Sequence, residues 1–201
     1  IIEKPKTPKS NLAVTGIYLL TPKIFDVIDN LKPSWRNELE ITDALDNLLK
    51  QNNNISFEMI TDYWKDTGTP EDIIHANGEI IKNITEYSYG KISKNAKISG
   101  KVLTEENSII EQGVTICGPV IIGKGCKINP GVTIGPNTSI GDYSIINNGN
   151  IENSIIMKNC EIDSKINIRN SIISNNAKII QLNENNDEKI FLLGEGTKIY
   201  L

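Results

Sequence analysis

Few side chains in this 201-residue chain are of types that do chemistry, and their neighbours limit what each can do. His75 is the only histidine. It falls in a helical stretch, where a surface or core role is expected. Cys117, Cys126 and Cys160 are an odd number without metal-ligand spacing, which predicts neither a disulfide framework nor a zinc site but a reducing cytoplasm. Arg36 is one of two arginines and has Glu38 and Glu40 within reach for an ion pair. Glu3 and Lys4 form a charged pair at the end of a strand-like start. Asp66 stands before Thr67-Gly68, as a turn-forming acid does. Taken singly, these residues read as an ion pair, a solvated pair and a turn.

Bulk composition narrows the field further. The net charge is −4, so the chain offers no basic surface to hold nucleic acid by its phosphates. No apolar run approaches the roughly 18 residues that span a bilayer, and no signal peptide is evident. A soluble cytoplasmic protein with no membrane partner is therefore expected. The start, Ile1-Ile2-Glu3-Lys4-Pro5, has no initiator methionine and reads as the end of a buried strand, which predicts a fragment.

The elements that must position these residues differ between the two halves. In the second half isoleucine recurs every sixth residue, at Ile92, Ile98, Ile110, Ile116, Ile122, Ile128, Ile134, Ile140 and Ile146, broken only by Thr104. Two residues before each comes a small or β-branched side chain, such as Val114, Val120, Cys126 or Val132. Gly123, Asn129, Gly135, Gly141 and Asn147 follow five of the isoleucines, and these types tolerate the positive φ of a corner. A period of six fits neither a helix nor a hairpin. It fits short strands with two inward side chains, three of which close one triangular coil of about 18 residues. Stacked coils would place Ile98, Ile116 and Ile134 in one column, and Ile110, Ile128 and Ile146 in another. The expected fold is a left-handed parallel β-helix of hexapeptide repeats over 89–201. After Ile146 the register slips, and residues 147–180 read as further coils with insertions. Residues 182–188 read as an exposed loop, and Ile190–Leu201 as a strand pair that caps the last coil.

Residues 1–88 read as α/β. Leu12–Leu20 is a mostly apolar run expected to be a buried strand. Residues 22–31 carry Ile24, Val27, Ile28 and Leu31 at helical spacing, with Pro22 in the first turn. A second helix is expected over 41–50, with Ile41, Leu45, Leu48 and Leu49 on one face. Two further strands are expected over 55–60 and toward Trp64. Thr69-Pro70-Glu71-Asp72 signals a helix start, with a threonine cap, proline at the first position and acids in the first turn, running to about Asn83.

Four segments in this order, Glu3-Lys4-Pro5, Ala13-Val14-Thr15-Gly16-Ile17-Tyr18, Arg36-Asn37-Glu38-Leu39-Glu40-Ile41-Thr42-Asp43 and Trp64-Lys65-Asp66-Thr67-Gly68-Thr69, resemble the second half of glucose-1-phosphate thymidylyltransferases. The run Ile134-Gly135-Pro136-Asn137-Thr138-Ser139-Ile140-Gly141-Asp142, followed by Ile151-Glu152-Asn153-Ser154-Ile155, resembles the β-helical tail of that family's long form. The resemblance implies a Rossmann-like catalytic domain whose C-terminal part is residues 1–88. It implies a reaction in which a nucleoside triphosphate, expected to be dTTP, joins glucose 1-phosphate and releases pyrophosphate with Mg²⁺ present.

The same resemblance assigns the residues. Asp66 becomes a catalytic carboxylate and Mg²⁺ ligand. Glu3 accepts hydrogen bonds from sugar hydroxyls, and Lys4, also catalytic, meets the sugar phosphate as a point charge. Val14 gives backbone contacts to the sugar, Tyr18 lines the pocket, and Arg36 approaches the phosphate with a forked donor. The family's Gly-rich triphosphate loop and second metal aspartate have no counterpart here, so the isolated chain is expected to be inactive. Two rivals stand beside this reading. The β-helix serves oligomerisation or regulation, a homo-oligomer being expected, or the protein is bifunctional, pairing nucleotidyl transfer with acetyl transfer. The second rival needs a histidine base in a coil, and His75 precedes the coils.

Overall fold

The structure, a computed structural model, describes residues 1–181. The loop and cap expected over 182–201 lie outside the described residues. The chain divides into two compact units, residues 1–63 and 64–201.

The first unit is built on two helices, α1 (Lys23–Ile28) and α2 (Ile41–Lys50). Ile24 and Val27 of α1 bury against Ala44 and Leu48 of α2, with Ile28, Leu31 and Ile41 packed around them. The periodicity located both helices. The buried face of α2 is Thr42, Ala44, Leu45 and Leu48, whereas Leu49 faces solvent. The strands expected at 12–20, 55–60 and toward Trp64 do not form. These segments carry no ladder hydrogen bonds, and Leu12, Val14, Ile17, Leu19, Phe57 and Met59 are exposed. A strand exists only as a member of a ladder, and no described residue of this unit offers one.

The second unit opens with α3 (Pro70–Lys82), whose start follows the sequence signal closely. Thr69 caps it by accepting from the Asp72 amide, and Pro70 occupies the first turn. The coils follow, from Tyr87–Ser88 to Lys178–Ile180, with every strand pairing parallel. Three inward columns run through the stack. One holds Ile92, Ile110, Ile128, Ile146, Ile162 and Ile179. The next holds Ile98, Ile116, Ile134, Ile151 and Ile168. The third holds Ser88, Thr104, Ile122, Ile140, Ile156 and Ile173. Thr104, which breaks the isoleucine series, is fully buried and shares a hydrogen bond with Ser88 below it.

The slip after Ile146 has the opposite origin from the one expected. Partners one coil apart are 18 residues apart at Asn129 and Asn147, then 16 at Asn147 and Asp163, and 17 at Glu161 and Lys178. The later coils therefore lose residues rather than gain them. The strands Ile145–Glu152 and Glu161–Arg169 run on through a corner where earlier coils turn. Their pairing is bulged between Ile146 and Asn150.

Corners take positive φ. Along one of them the residues are Asn107, Gly125, Tyr143, Asn159 and Asn176. Tyr143 stands out, because a β-carbon in this conformation crowds the following carbonyl. Its ring lies over Gly125, where an added Cβ would fall 2.7 Å from ring carbon Cδ1. Tyr143→Asn should therefore stabilise the unit by about 0.5–1 kcal/mol, relief of backbone strain outweighing the lost ring contact. A lower melting temperature for this variant would show that the ring contact dominates.

Among the described residues no helix is long and apolar enough to cross a membrane. Cys126 and Cys160 point into the core, and burial pushes the Cys126 thiol up to about 11 and raises that of Cys160. Cys117 is exposed, and all three are free thiols.

Candidate functional site

Within the first unit, the turn after Pro33 gathers the charged residues. Asn37 takes a left-handed conformation (φ 61°), its amide bonds to the Ser34 carbonyl at 2.9 Å, and the Ser34 amide bonds to the Glu38 carbonyl at 2.8 Å. The chain then enters α2 through Glu40, which is extended (φ −101°, ψ 128°). This path puts Arg36, Glu38 and Glu40 side by side.

Arg36 is enclosed by three carboxylates. Its Nη2 lies 2.9 Å from Glu38, and its Nη1 lies 3.2 Å from Glu40 and 3.6 Å from Glu3. Ser34 donates its hydroxyl to Glu40 at 3.0 Å, and the Arg36 amide donates to the Ser34 hydroxyl at 3.1 Å. Thr42, in the first turn of α2, donates to the other oxygen of Glu3 at 2.9 Å. One guanidinium among three carboxylates is a charge-assisted network that engages both of its terminal nitrogens. Glu40 is buried, and Arg36 and Ser34 supply the partners its carboxylate has there.

Glu3 also lines an open depression of about 320 Å³ with Ile1, Ile2, Ser34, Trp35 and Asp43. Lys4 follows it in an unusual conformation (φ 36°), with its side chain exposed. Val14 and Tyr18 are 52% and 37% exposed. The structure thus brings together Glu3 and Arg36, two of the residues singled out from the sequence. Lys4 adjoins Glu3 along the chain, and Val14 and Tyr18 stand on a segment without secondary structure, open to solvent. Arg36 is held in ion pairs, the alternative its neighbours already suggested. Ser34, Glu40 and Thr42 complete the network. Glu40 and Thr42 lay in the quoted Arg36–Asp43 run and Ser34 just before it without a signal of its own, but which of them would touch Glu3, some forty positions away, is a tertiary fact.

Asp66 belongs to the second unit and is exposed. Its carboxylate bends over Gly68, where an added Cβ would lie 3.7 Å from Oδ1. The turn it occupies is tied to α3, since Lys65 pairs with Asp72 at 2.6 Å and Thr69 donates to Asp72 at 2.7 Å. The Lys65 ammonium is the main cause that holds the Asp72 carboxyl below the usual carboxylate range. Among the described residues no three His, Cys, Asp or Glu side chains converge as a metal site. Mg²⁺ ordinarily takes one or two carboxylates and completes its shell with phosphates and water. Asp66 therefore fits as one ligand of such an ion and does not make a site alone.

Comparison with known proteins matches the segments that carry these residues. Residues 1–83 match the nucleotidyl transferase family model, and residues 91–136 match six repeats of the bacterial transferase hexapeptide model. A GMPPB C-terminal domain model matches residues 116–200. The chain thus joins a segment of the nucleotidyl transferase family to bacterial transferase hexapeptide repeats. Its relatives include a glucose-1-phosphate thymidylyltransferase of Streptomyces antibioticus, 34% identical over 98% of this chain and 55% of its own length. The low-salt glycan biosynthesis nucleotidyltransferase Agl11 of Haloferax volcanii is 37% identical over 82% of this chain and 46% of its own. The bifunctional protein GlmU of Methanococcus aeolicus is 43% identical over 80% of this chain and 39% of its own. The chain spans about half the length, or less, of the curated relatives it matches. The Glu3–Arg36 network and Asp66 both fall in the part matched by the nucleotidyl transferase model.

Proposed function

We propose that this chain is the C-terminal part of a sugar-1-phosphate nucleotidyltransferase, with glucose 1-phosphate and dTTP as the substrates favoured by the thymidylyltransferase relatives. The observation that carries the reading is the convergence of Glu3, Arg36 and Thr42 beside an open depression, in the segment that matches the nucleotidyl transferase family. In this reaction a phosphate oxygen of the sugar 1-phosphate attacks the α-phosphorus of the nucleotide. The P–O bond to the β-phosphate breaks, and pyrophosphate leaves.

Each residue then has a task. Glu3, held by Thr42 and Arg36, offers carboxylate oxygens fixed in direction to accept sugar hydroxyls. Lys4 screens the sugar phosphate during its approach to a polyanion. Val14 and Tyr18 line the sugar side. Arg36, enclosed by carboxylates, orients Glu3, and it reaches a phosphate only by releasing one of them. Mg²⁺, when bound through Asp66, neutralises charge on the phosphates.

The segments 12–20 and 55–60 support a further element of the reading. They are largely apolar, exposed and without ladder partners, as strands are when the rest of their sheet is contributed elsewhere. We take residues 1–88 as the later part of a catalytic domain and 89–201 as a β-helical assembly module that favours a homo-oligomer. The relatives named bifunctional favour a second reading with two activities, and acetyl-CoA turnover tests it. Against it, the sole histidine lies in α3 and not in a coil.

The test is pyrophosphate release from glucose 1-phosphate, Mg²⁺ and each nucleoside triphosphate in turn. This chain alone should be silent, and the longer protein that includes a nucleotide-binding half should turn over, fastest with dTTP. A longer protein silent with every nucleotide and sugar 1-phosphate would overturn the reading.

A further inference from the structure

The helix that follows Asp66 is bolted to the coils at its middle and at its end. Asn77 lies on the face of α3 that meets the β-helix. Its amide donates to the Asn137 backbone carbonyl at 3.2 Å, and its carbonyl accepts the Ser139 hydroxyl at 2.6 Å. One side chain therefore reads two positions of a single coil edge, 60 and 62 residues away in sequence. Gly78 beside it is buried, with the Asn137 side chain 3.8 Å from where a Cβ would stand. Ile74 and Ile81, one turn to either side, are buried as well. At the far end, Lys101 donates its ammonium to the Lys82 carbonyl at 3.1 Å, occupying an acceptor that the helix leaves open. Asn137 is itself fixed, since it turns a corner at φ 57° and its amide bonds to the Pro119 carbonyl at 2.9 Å.

A helix of this length is stiff, so fixing its middle and its last turn fixes its first turn too. The first turn carries Thr69 and Asp72, and through Lys65 it holds the turn that bears Asp66. Apolar contact alone would let α3 slide or rotate on the flat coil face. The paired hydrogen bonds at Asn77 permit one register, because a shift of a single residue leaves a partly buried amide and hydroxyl unpartnered.

We propose that the β-helix positions Asp66: Asn77 and Ser139 lock α3 in register on the coils, so the carboxylate assigned to Mg²⁺ is aimed by the repeat domain. The inference rests on the functional reading above for the role of Asp66, and it gives the β-helix a task besides assembly. Asn77 and Ser139 are positioning residues. They act on the metal carboxylate through the helix, as outer-shell partners orient metal ligands elsewhere.

Two measurements test it. In this chain, hydrogen exchange of residues 64–82 should quicken in Asn77→Ala and Ser139→Ala, while amides of the coils between 120 and 146 keep their protection. Unchanged exchange over 64–82 would overturn the lock. In the longer nucleotidyltransferase, the same variants should raise the Mg²⁺ concentration for half-maximal rate roughly tenfold, with the rate at saturating Mg²⁺ nearly retained. Ser139→Thr, which keeps the hydroxyl, should restore the original value. Asp66→Asn in the same assay separates the two levels of argument. If Asp66→Asn silences synthesis while Asn77→Ala leaves the Mg²⁺ dependence untouched, the positioning role is wrong and the functional reading stands. If Asp66→Asn has no effect, the role of Asp66 falls, and the positioning role falls with it.

Discussion

Asp66→Asn in the longer nucleotidyltransferase is expected to lower the rate of pyrophosphate release by about two to three orders of magnitude at fixed Mg²⁺. The substitution preserves size and shape and removes one negative charge. Asp66 is exposed, and its turn is organised by Lys65, Thr69 and Asp72, none of which needs the Asp66 charge. The variant should therefore fold and melt like the parent, so a loss of rate can be assigned to chemistry. Raising Mg²⁺ should recover part of the rate, because an amide oxygen still coordinates a hard cation, though more weakly. A rate within twofold of the parent across the Mg²⁺ range would remove Asp66 from the reaction. The proposed function would then rest on the Glu3–Arg36 network alone.

The Asp66 turn could be read from the sequence because its parts are local, while its metal role came only from the family resemblance. Asp66, Gly68, Thr69 and Pro70 sit within five positions of one another, and the cap that ends their turn is a local hydrogen bond. The Glu3–Arg36 network was less legible. Arg36 could be matched with Glu38 and Glu40 by spacing, but Glu3 and Thr42 join only once the chain has folded back over the start of α2. The clasp between Asn77 and the Asn137–Ser139 edge left no trace in the pattern, since asparagine on a helix face reads as solvated.

The fold divides in the same way. A repeat whose side-chain period equals the geometry of one coil face declares itself, and the isoleucine columns followed directly from the six-residue spacing. Once coils closed in 16 or 17 residues, the spacing no longer said whether residues had been added or removed, and insertion was the wrong choice. The strand at 12–20 failed for a different reason. Its composition is that of a buried strand, but strand formation depends on partners that composition does not encode. Its exposed side chains, Leu19 and Ile17 above all, record a preference that this chain alone leaves unmet.

The columns also predict where the second unit is most fragile. Ile98 and Ile134 are the same residue in the same column, with Ile116 between them. Ile134 is fully enclosed, with Ile116 on one side and Ile151 on the other, whereas Ile98 is 36% exposed. Ile134→Ala removes the same atoms as Ile98→Ala, but only the former leaves a cavity that neighbouring coils cannot fill. The flanking strands are held by backbone ladders at a spacing of about 4.8 Å and have no freedom to collapse inward. Ile134→Ala should therefore cost about 3–4 kcal/mol, near the upper range for such truncations, and lower the melting temperature by roughly 8–12 °C. Ile98→Ala should cost about 1 kcal/mol, because its side chain already meets water and its site drains to solvent. Thermal unfolding of the two variants, followed by circular dichroism, measures the difference directly. Equal shifts would mean that the first coil is covered as fully as the middle ones. A larger shift for Ile98→Ala would mean that the stack is organised from its first coil, with stability set by how firmly that coil anchors those after it.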